Sequence, residues 1–384
     1  MKKINREQWK EVYYGDYVDH IEVNEKDPAK RKNARYVSVE HIQTGKLKIE
    51  SWENEVMPTF FRTFKPGQIL FGKRRAYQRK VAIAEFEGIC SPHIWALETK
   101  KELQQEILPF LMLTDKFYEY ANANSAGTMS VYLKWPQLSR YQFLLPPVEK
   151  QKEIASLFQS IETAMEQVDG QEKNLKALKC DLLNNLIGDS QSFGQIKKDK
   201  WRKIKFSDVV KNSNKIERKP LSVGITKAIG LANINPCDLK IKSFIDIEKE
   251  GTNFSRVFRN GQYLFGARRA YLKQYALADF NGVCTANIMV FDVIDDNIML
   301  RDFIALIIQS DVFINYATGT SVGSLFPNAK WSSLAEFKLK LPELEVQKVI
   351  LQVFDQLETT ITQLKKQKTT LKNLKQKLLN EILG

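Results

Sequence analysis

From Glu149 to Gly188 the chain holds no proline, and apolar residues recur at threes and fours: Ile154, Phe158, Ile161, Met165, Val168, Leu175, Leu178, Leu182 and Leu186. The stretch from Glu345 to Gly384 keeps the same rhythm through Ile350, Phe354, Leu357, Ile361, Leu364, Leu371, Leu374, Leu378 and Ile382. An apolar stripe of that period predicts two long helices, each with one coiled-coil-like seam. At about 1.5 Å of rise per residue each spans roughly 55 to 60 Å, too long to be stable alone on a single seam, so the two are expected to pack on each other. Net charges of −2 on the first and +3 on the second suit that pairing. Pro146 and Pro342 mark the entries, and Gly188 closes the first helix before a polar linker. The remaining chain is mixed. Val81–Phe86 and Gly88–Leu97 are strand-like, and Glu102–Ala121 is helix-like. Asn281-Gly282, between Tyr275–Phe280 and Val283–Phe291, predicts a type I′ hairpin, with Glu87-Gly88 at the same corner of the first half.

The two halves are one unit written twice. Gly67-Gln-Ile-Leu-Phe-Gly-Lys-Arg-Arg-Ala-Tyr77 returns as Gly261-Gln-Tyr-Leu-Phe-Gly-Ala-Arg-Arg-Ala-Tyr271, an offset of 194. The segment starting at Trp9 is echoed from Trp201 at an offset of 192, and Leu145-Pro146 with Gln151-Lys152 is echoed by Leu341-Pro342 with Gln347-Lys348 at 196. Half of 384 is 192, so two copies account for the sequence and predict a pseudo-symmetric molecule with two equivalent working surfaces.

Lys and Arg number 58 against 45 Asp and Glu, a formal charge of +13, of which +12 lies outside the two helical stretches. That balance points to a polyanionic partner. No apolar run reaches the length of a membrane span, and the polar opening MKKINREQWK lacks the apolar core of a secretion signal, so a cytoplasmic location is expected. Cys90, Cys180, Cys237 and Cys284 stand far apart with no C-x-x-C, which fits reduced thiols better than a disulfide or zinc framework.

The strongest chemical signal is the cationic and aromatic run Lys73, Arg74, Arg75, Tyr77, Arg79 and Lys80, matched by Arg268, Arg269, Tyr271 and Lys273. Arginine forks onto phosphate oxygens or guanine edges, and lysine supplies a point charge to the backbone. A solvated charged turn is the plain alternative, and retention of Arg-Arg-Ala-Tyr in both copies favours DNA contact over it. Arginines kept in both copies suit backbone grip, and positions that differ suit base readout. A second candidate surface is the small-polar loop with Thr128, Ser130 and Lys134, matched by Ser321, Ser324 and Lys330, although an ordinary connection accounts for it equally. Trp135 and Trp331 read as core anchors. Gly67–Lys73 imitates a phosphate-binding loop, but Arg74 stands where Ser or Thr must hold Mg²⁺ and the second copy has Ala267 for the lysine. Cys90-Ser-Pro-His93 has Cys284-Thr-Ala-Asn287 as its counterpart, which leaves no metal set. No catalytic residues and no metal site are assigned. Leu157, Leu183 and Ile187, with Val353, Leu379 and Leu383, widen the helical seam and are the expected partner-binding positions.

Two variable domains, each leading through an LPxxExQK-like junction into a long helix with an LKxLKxxLLN tail, resemble the specificity subunit of Type I restriction-modification systems. The resemblance covers the full length. It implies an α+β fold with two pseudo-repeated α/β target-recognition domains separated by two long antiparallel coiled-coil helices. The corresponding boundaries are residues 1–147 for recognition domain 1, 148–188 for the first spacer helix, 189–200 for a linker, 201–343 for recognition domain 2 and 344–384 for the second spacer helix. By resemblance the chain is non-catalytic, reads a bipartite site in double-stranded DNA and holds two methyltransferase subunits, with restriction/translocase subunits joining the larger assembly. S-adenosylmethionine, and ATP with Mg in the full complex, would then sit on those subunits and not on this chain. A free-standing NTPase or nuclease would instead show turnover alone, and a two-headed transcription regulator would need no methyltransferase.

Overall fold

The computed structural model describes residues 6–55, 59–127 and 131–384. The chain divides into two compact units, residues 1–169 with 365–384, and residues 170–364. Each unit is thus a recognition domain together with part of each of two 40-residue helices, Val148–Ile187 and Leu344–Leu383. The sequence boundaries treat the helices as segments of their own, whereas the compact units share them out.

In the first unit, β1 (Lys10–Tyr13), β2 (Val18–Ile21), β3 (Tyr36–Val37), β4 (Arg62–Phe64), β5 (Ile69–Gly72), β6 (Val81–Ile83), β7 (Gly88–Cys90), β8 (Ile94–Thr99) and β9 (Gln142–Leu145) follow in chain order. They form an antiparallel sheet β2-β8-β5-β6, a mixed sheet β3-β7-β4 and a ribbon β1-β9 that delivers the chain into the first long helix. The second unit adds a small hairpin, β10 (Ser192–Phe193) with β11 (Ile196–Lys197), and then repeats the plan. Its strands are β12 (Arg202–Lys205), β13 (Val210–Asn212), β14 (Lys227–Ile229), β15 (Ile245–Asp246), β16 (Arg256–Phe258), β17 (Tyr263–Gly266), β18 (Tyr275–Leu277), β19 (Gly282–Cys284), β20 (Ile288–Val293) and β21 (Lys338–Leu341). Sheets β13-β20-β17-β18 and β15-β14-β19-β16 and ribbon β12-β21 mirror the first unit, with β15 as an added edge strand. Among the described residues no helix is long and apolar enough to cross a membrane.

The helices run antiparallel within each unit. In the first, Glu162 pairs with Lys375 and Asp169 with Lys368 (2.5 Å), one number rising by seven as the other falls. In the second, Lys179 pairs with Glu358. What the seam cannot bury alone, the domains cover. Leu378, Leu379, Ile382 and Leu383 enter the core built around Tyr14, Phe71 and Phe117, and Leu183, Leu186 and Ile187 enter the core around Phe206, Phe265 and Phe313. This corrects four expected partner-binding positions. Leu183, Ile187, Leu379 and Leu383 are 1–4% exposed and belong to domain cores, while Leu157 and Val353 are each 42% exposed. Apolar residues beside the main stripe were needed at the helix ends for a third surface, the domain itself.

The repeated junction glutamines are fastenings. Gln151 and Gln347 are fully buried and make the same three bonds. Gln151 Oε1 accepts the Gln104 N–H (2.8 Å), and its Nε2 donates to the Pro146 and Glu102 carbonyls (2.8 and 3.1 Å). Gln347 does this with Leu300, Pro342 and Ile298 at 2.9, 2.8 and 3.0 Å. Three residues before each repeated tryptophan, a cation closes a helix C-terminus, where free carbonyls and the helix dipole favour positive charge. Arg6 donates to the Glu381 and Ile382 carbonyls (2.7 and 3.0 Å), and Lys198 donates to those of Asn185, Leu186 and Gly188. Burial pushes the Lys198 ammonium down to about 8, with Lys340 adding to the shift.

Two local expectations change. Asn281-Gly282 does not make a type I′ hairpin, because β18 and β19 lie in different sheets. Gly282 is required by crowding: a Cβ there would meet Phe258 Cζ at 2.4 Å and the Lys227 carbonyl at 2.8 Å, as one on Gly88 would meet Phe64 Cζ at 2.7 Å. The stretch Glu102–Ala121 is helical only at Leu108–Leu111 and from Asp115 onward, because Thr114 turns its side chain to accept the Phe117 N–H (3.3 Å) and starts a new helix, Asp115–Ala123.

Candidate nucleic-acid interface

The cationic run follows β5 and β17 and turns back through a short 3₁₀ segment, Ala76–Gln78 and Ala270–Leu272. Left-handed residues flank that segment in both units: Arg75 (φ +54°) and Arg79 (φ +52°), then Arg269 (φ +55°) and Lys273 (φ +53°). Six non-glycine residues among those described have positive φ, and these are four of them. Each costs of order 1–2 kcal/mol relative to an ordinary conformation, so an arginine or lysine is held where glycine would be cheaper. Strain of this kind, kept in both copies, makes the turn a candidate working surface.

Its anchoring shows why the turn repeats so closely. Ala76 and Ala270 are buried beneath it. Arg79 pairs with Asp115 at 2.5 Å and lies 4.9 Å over the Tyr118 ring, and Lys273 pairs with Asp311 at 2.5 Å. Asp115 and Asp311 open the helices Asp115–Ala123 and Asp311–Gly319, where a carboxylate complements the dipole. Each is also gripped by an asparagine from the tail of a long helix. The Asn380 Oδ1 accepts the Asp115 N–H (2.9 Å) and its Nδ2 donates to Asp115 Oδ2 (2.5 Å), while Asn184 does the same to Asp311 at 2.8 and 3.2 Å. Both asparagines stand in the repeated LLN tails, the one trace of this hub in the amino-acid order.

The two candidate surfaces are one. Residues 131–133 pair with the cationic turn: the Arg75 N–H donates to the Val131 carbonyl (2.8 Å) and the Leu133 N–H to the Lys73 carbonyl (2.9 Å). In the second unit the Arg269 N–H donates to the Pro327 carbonyl (2.7 Å) and the Ala329 N–H to the Ala267 carbonyl (2.9 Å). Lys134 and Lys330, both exposed, therefore stand beside the arginines.

Within this surface the structure sorts the residues. Arg75, Tyr77, Lys134, Tyr271, Ser324 and Lys330 are exposed. Arg268 and Arg269 are half-buried, with guanidinium carbons 4.1 and 5.0 Å from the centre of the Phe326 ring. Arg74 reaches His93 at 3.4 Å, and burial, then Arg74 and Lys73, lower the His93 pKa. Four cations are occupied inward. Arg79 and Lys273 hold the aspartates, Lys80 donates to the Val39 carbonyl (2.7 Å), and Lys73 lies 5.2 Å from the Trp95 ring, its pKa lowered by burial first and by Arg62. Ser321 donates its hydroxyl to the Ala317 carbonyl (2.7 Å). Thr128 and Ser130 lie outside the described residues. Trp135 packs within 4.4 Å of the His20 ring centre and Trp331 within 5.7 Å of Phe291.

Gly72 ends strand β5 and its N–H bonds the Lys80 carbonyl (3.0 Å), so the G-x-x-x-x-G-K imitation is sheet and turn. Cys90 and Cys284 are buried strand thiols pushed up to about 12 by burial. Among the described residues no three His, Cys, Asp or Glu side chains are grouped to hold a metal.

Comparison with known proteins agrees with this duplicated arrangement. The specificity subunit of the Type I restriction enzyme EcoDI of Escherichia coli is 25% identical over 175 residues, a match spanning 45% of this chain and 39% of that relative. The MjaVIII specificity subunit of Methanocaldococcus jannaschii is 21% identical across 98% of this chain and 92% of its own. Among solved structures, a chain of a type I R-M system has a TM-score of 0.61 at 17% identity, covering 97% of this chain and 96% of that one. The S subunit from M. genitalium has a TM-score of 0.57 at 12% identity, covering 100% and 98%. At such identities these two likenesses speak for the fold. The family model for the Type I restriction modification DNA specificity domain matches twice, over residues 8–177 and 198–373, and the chain belongs to that family.

Proposed function

We propose that the protein is the non-catalytic, sequence-reading subunit of a Type I restriction-modification assembly. Each recognition domain takes one half of a bipartite site in duplex DNA, and the two long helices scaffold the subunits that do the chemistry. Two methyltransferase subunits, carrying S-adenosylmethionine, dock along exposed apolar positions such as Leu157 and Val353. Restriction/translocase subunits with ATP and Mg complete the larger complex, in the cytoplasm where the DNA is.

One observation carries this reading: in both units a strained Arg-Arg turn is zipped to a second loop, setting arginines beside an exposed lysine and an exposed tyrosine. Arg75 and Arg269 are kept in both domains although the domains would read different bases, so they suit phosphates, which carry no sequence information. The test is DNA binding by the complex with its methyltransferase, measured across a salt series for Arg75→Gln and for Arg269→Gln. Each variant is expected to weaken binding alike on cognate and unrelated DNA and to lower the salt slope by about 0.9. Unchanged affinity and slope in both variants would remove this surface from the DNA.

A further inference from the structure

Large apolar side chains stand in water at the tip of the second domain's loop: Val322 is 55% exposed, Leu325 79% and Phe326 49%, with Tyr271 at 50% on the adjoining turn. Leu325 is the most exposed large hydrophobic residue among those described. The tip is firmly built. Val322 and Asn328 exchange backbone hydrogen bonds of 3.0 Å in both directions, and Gly323 turns the chain at φ +107° with the Phe326 carbonyl 3.3 Å from where a Cβ would stand. The Arg269 N–H holds the Pro327 carbonyl, and the guanidiniums of Arg268 and Arg269 pack on the Phe326 ring.

An apolar point between two guanidiniums is mismatched to water and to an apolar protein pocket, which would have to desolvate both charges. It matches a DNA groove. There phosphates meet the arginines while an aliphatic or aromatic side chain packs on thymine methyl groups or wedges between base steps. The repeat supports the division of labour. At the offset of 196, Leu325 and Phe326 correspond to Met129 and Ser130 in sequence, so the tip differs between copies while the flanking Arg-Arg is kept. Residues that read bases must differ between domains that read different half-sites, and residues that grip phosphates need not.

We propose that Leu325 and Phe326 are the groove-entering, base-contacting wedge of the second recognition domain and determine part of its half-site. This rests on the reading of the chain as a DNA-recognition subunit. The test compares wild type with Leu325→Ser/Phe326→Ser, each with its methyltransferase, by mapping methylated motifs in cellular DNA and by titrating the purified complexes with cognate and unrelated duplexes. The expected result is a motif relaxed or lost in one half-site with the other intact. Discrimination between cognate and unrelated DNA should fall at least about tenfold, the loss on cognate DNA exceeding any loss on unrelated DNA by that factor. Phe326→Ser alone, which leaves Leu325 in place, should move discrimination in the same direction by less. An unchanged motif and unchanged discrimination would overturn the proposal, as would equal loss on all DNA or loss of assembly with the methyltransferase, the last marking the tip as a protein contact. A wild-type complex that neither methylates a bipartite motif nor binds DNA would instead overturn the parent reading.

Discussion

Replacing Asn184 with alanine should loosen one recognition domain and leave the other untouched. The side chain accepts the Asp311 N–H at 2.8 Å and donates to the Asp311 carboxylate at 3.2 Å. That carboxylate also takes Lys273, from the cationic turn, and the Cys180 thiol at 3.1 Å. A neutral hydrogen bond contributes about 1 kcal/mol and one to a charged group about 1.5–3 kcal/mol, the latter reduced by the partial exposure of Asp311. The combined loss is therefore about 2–3 kcal/mol, and at a factor of ten per 1.4 kcal/mol it corresponds to roughly 30- to 150-fold easier local opening. A two-domain chain has no single unfolding free energy, so the assay is native-state hydrogen exchange read segment by segment under conditions where rates report equilibrium opening. Amides of Asp311–Gly319 and of the 268–275 turn should exchange faster by that factor, and those of Asp115–Ala123 should not change. Asn380→Ala should invert the pattern. Less than a threefold effect in Asp311–Gly319, or equal acceleration in both helices, would refute the hub as the tie between helix tail and cationic turn.

Leu183→Ala should destabilise the second unit by about 2–4 kcal/mol, since a buried leucine leaves a cavity, whereas Leu157→Ala should cost under about 0.5 kcal/mol and weaken methyltransferase assembly. Denaturant midpoints and a methyltransferase titration separate the two, and equal destabilisation would refute the division of the helical leucines. The Asp311 carboxyl is held below the usual range by its hydrogen bond from Lys273, with Cys180 and Asn184 adding and burial opposing. Its folded pKa is below the unfolded one, so its stabilisation is complete above the ordinary carboxylate pKa of about 4 and is lost as pH falls through the folded value. Asp311→Asn should therefore lower the urea midpoint at pH 7 and narrow the gap to wild type in acid; a gap constant with pH would contradict this.

The duplication, the two long helices, the cationic turn and the family were legible in the amino-acid order, because each is written in local period, spacing or repetition. Local pattern also misled where it was silent about distant chain. Asn281-Gly282 carries the signature of a tight turn, yet Gly282 is demanded by the Phe258 ring and the Lys227 carbonyl pressing on a strand. The stripe on the long helices marks which positions are apolar but not what covers them, so Leu183 and Leu379 could be told from Leu157 only once the domain cores were seen to close over the helix ends. Likewise a row of cations has no inside or outside in sequence. Arg79 and Lys273 turn in to an aspartate at a helix start while Arg75 faces water, because the aspartates that draw the first two inward stand more than thirty positions along the chain. Periodicity and repetition depend on neighbours along the chain and so determined the elements and their number. Burial, pairing and the merging of two loops into one ridge depend on contacts between residues tens to hundreds of positions apart, and those only the tertiary structure decided.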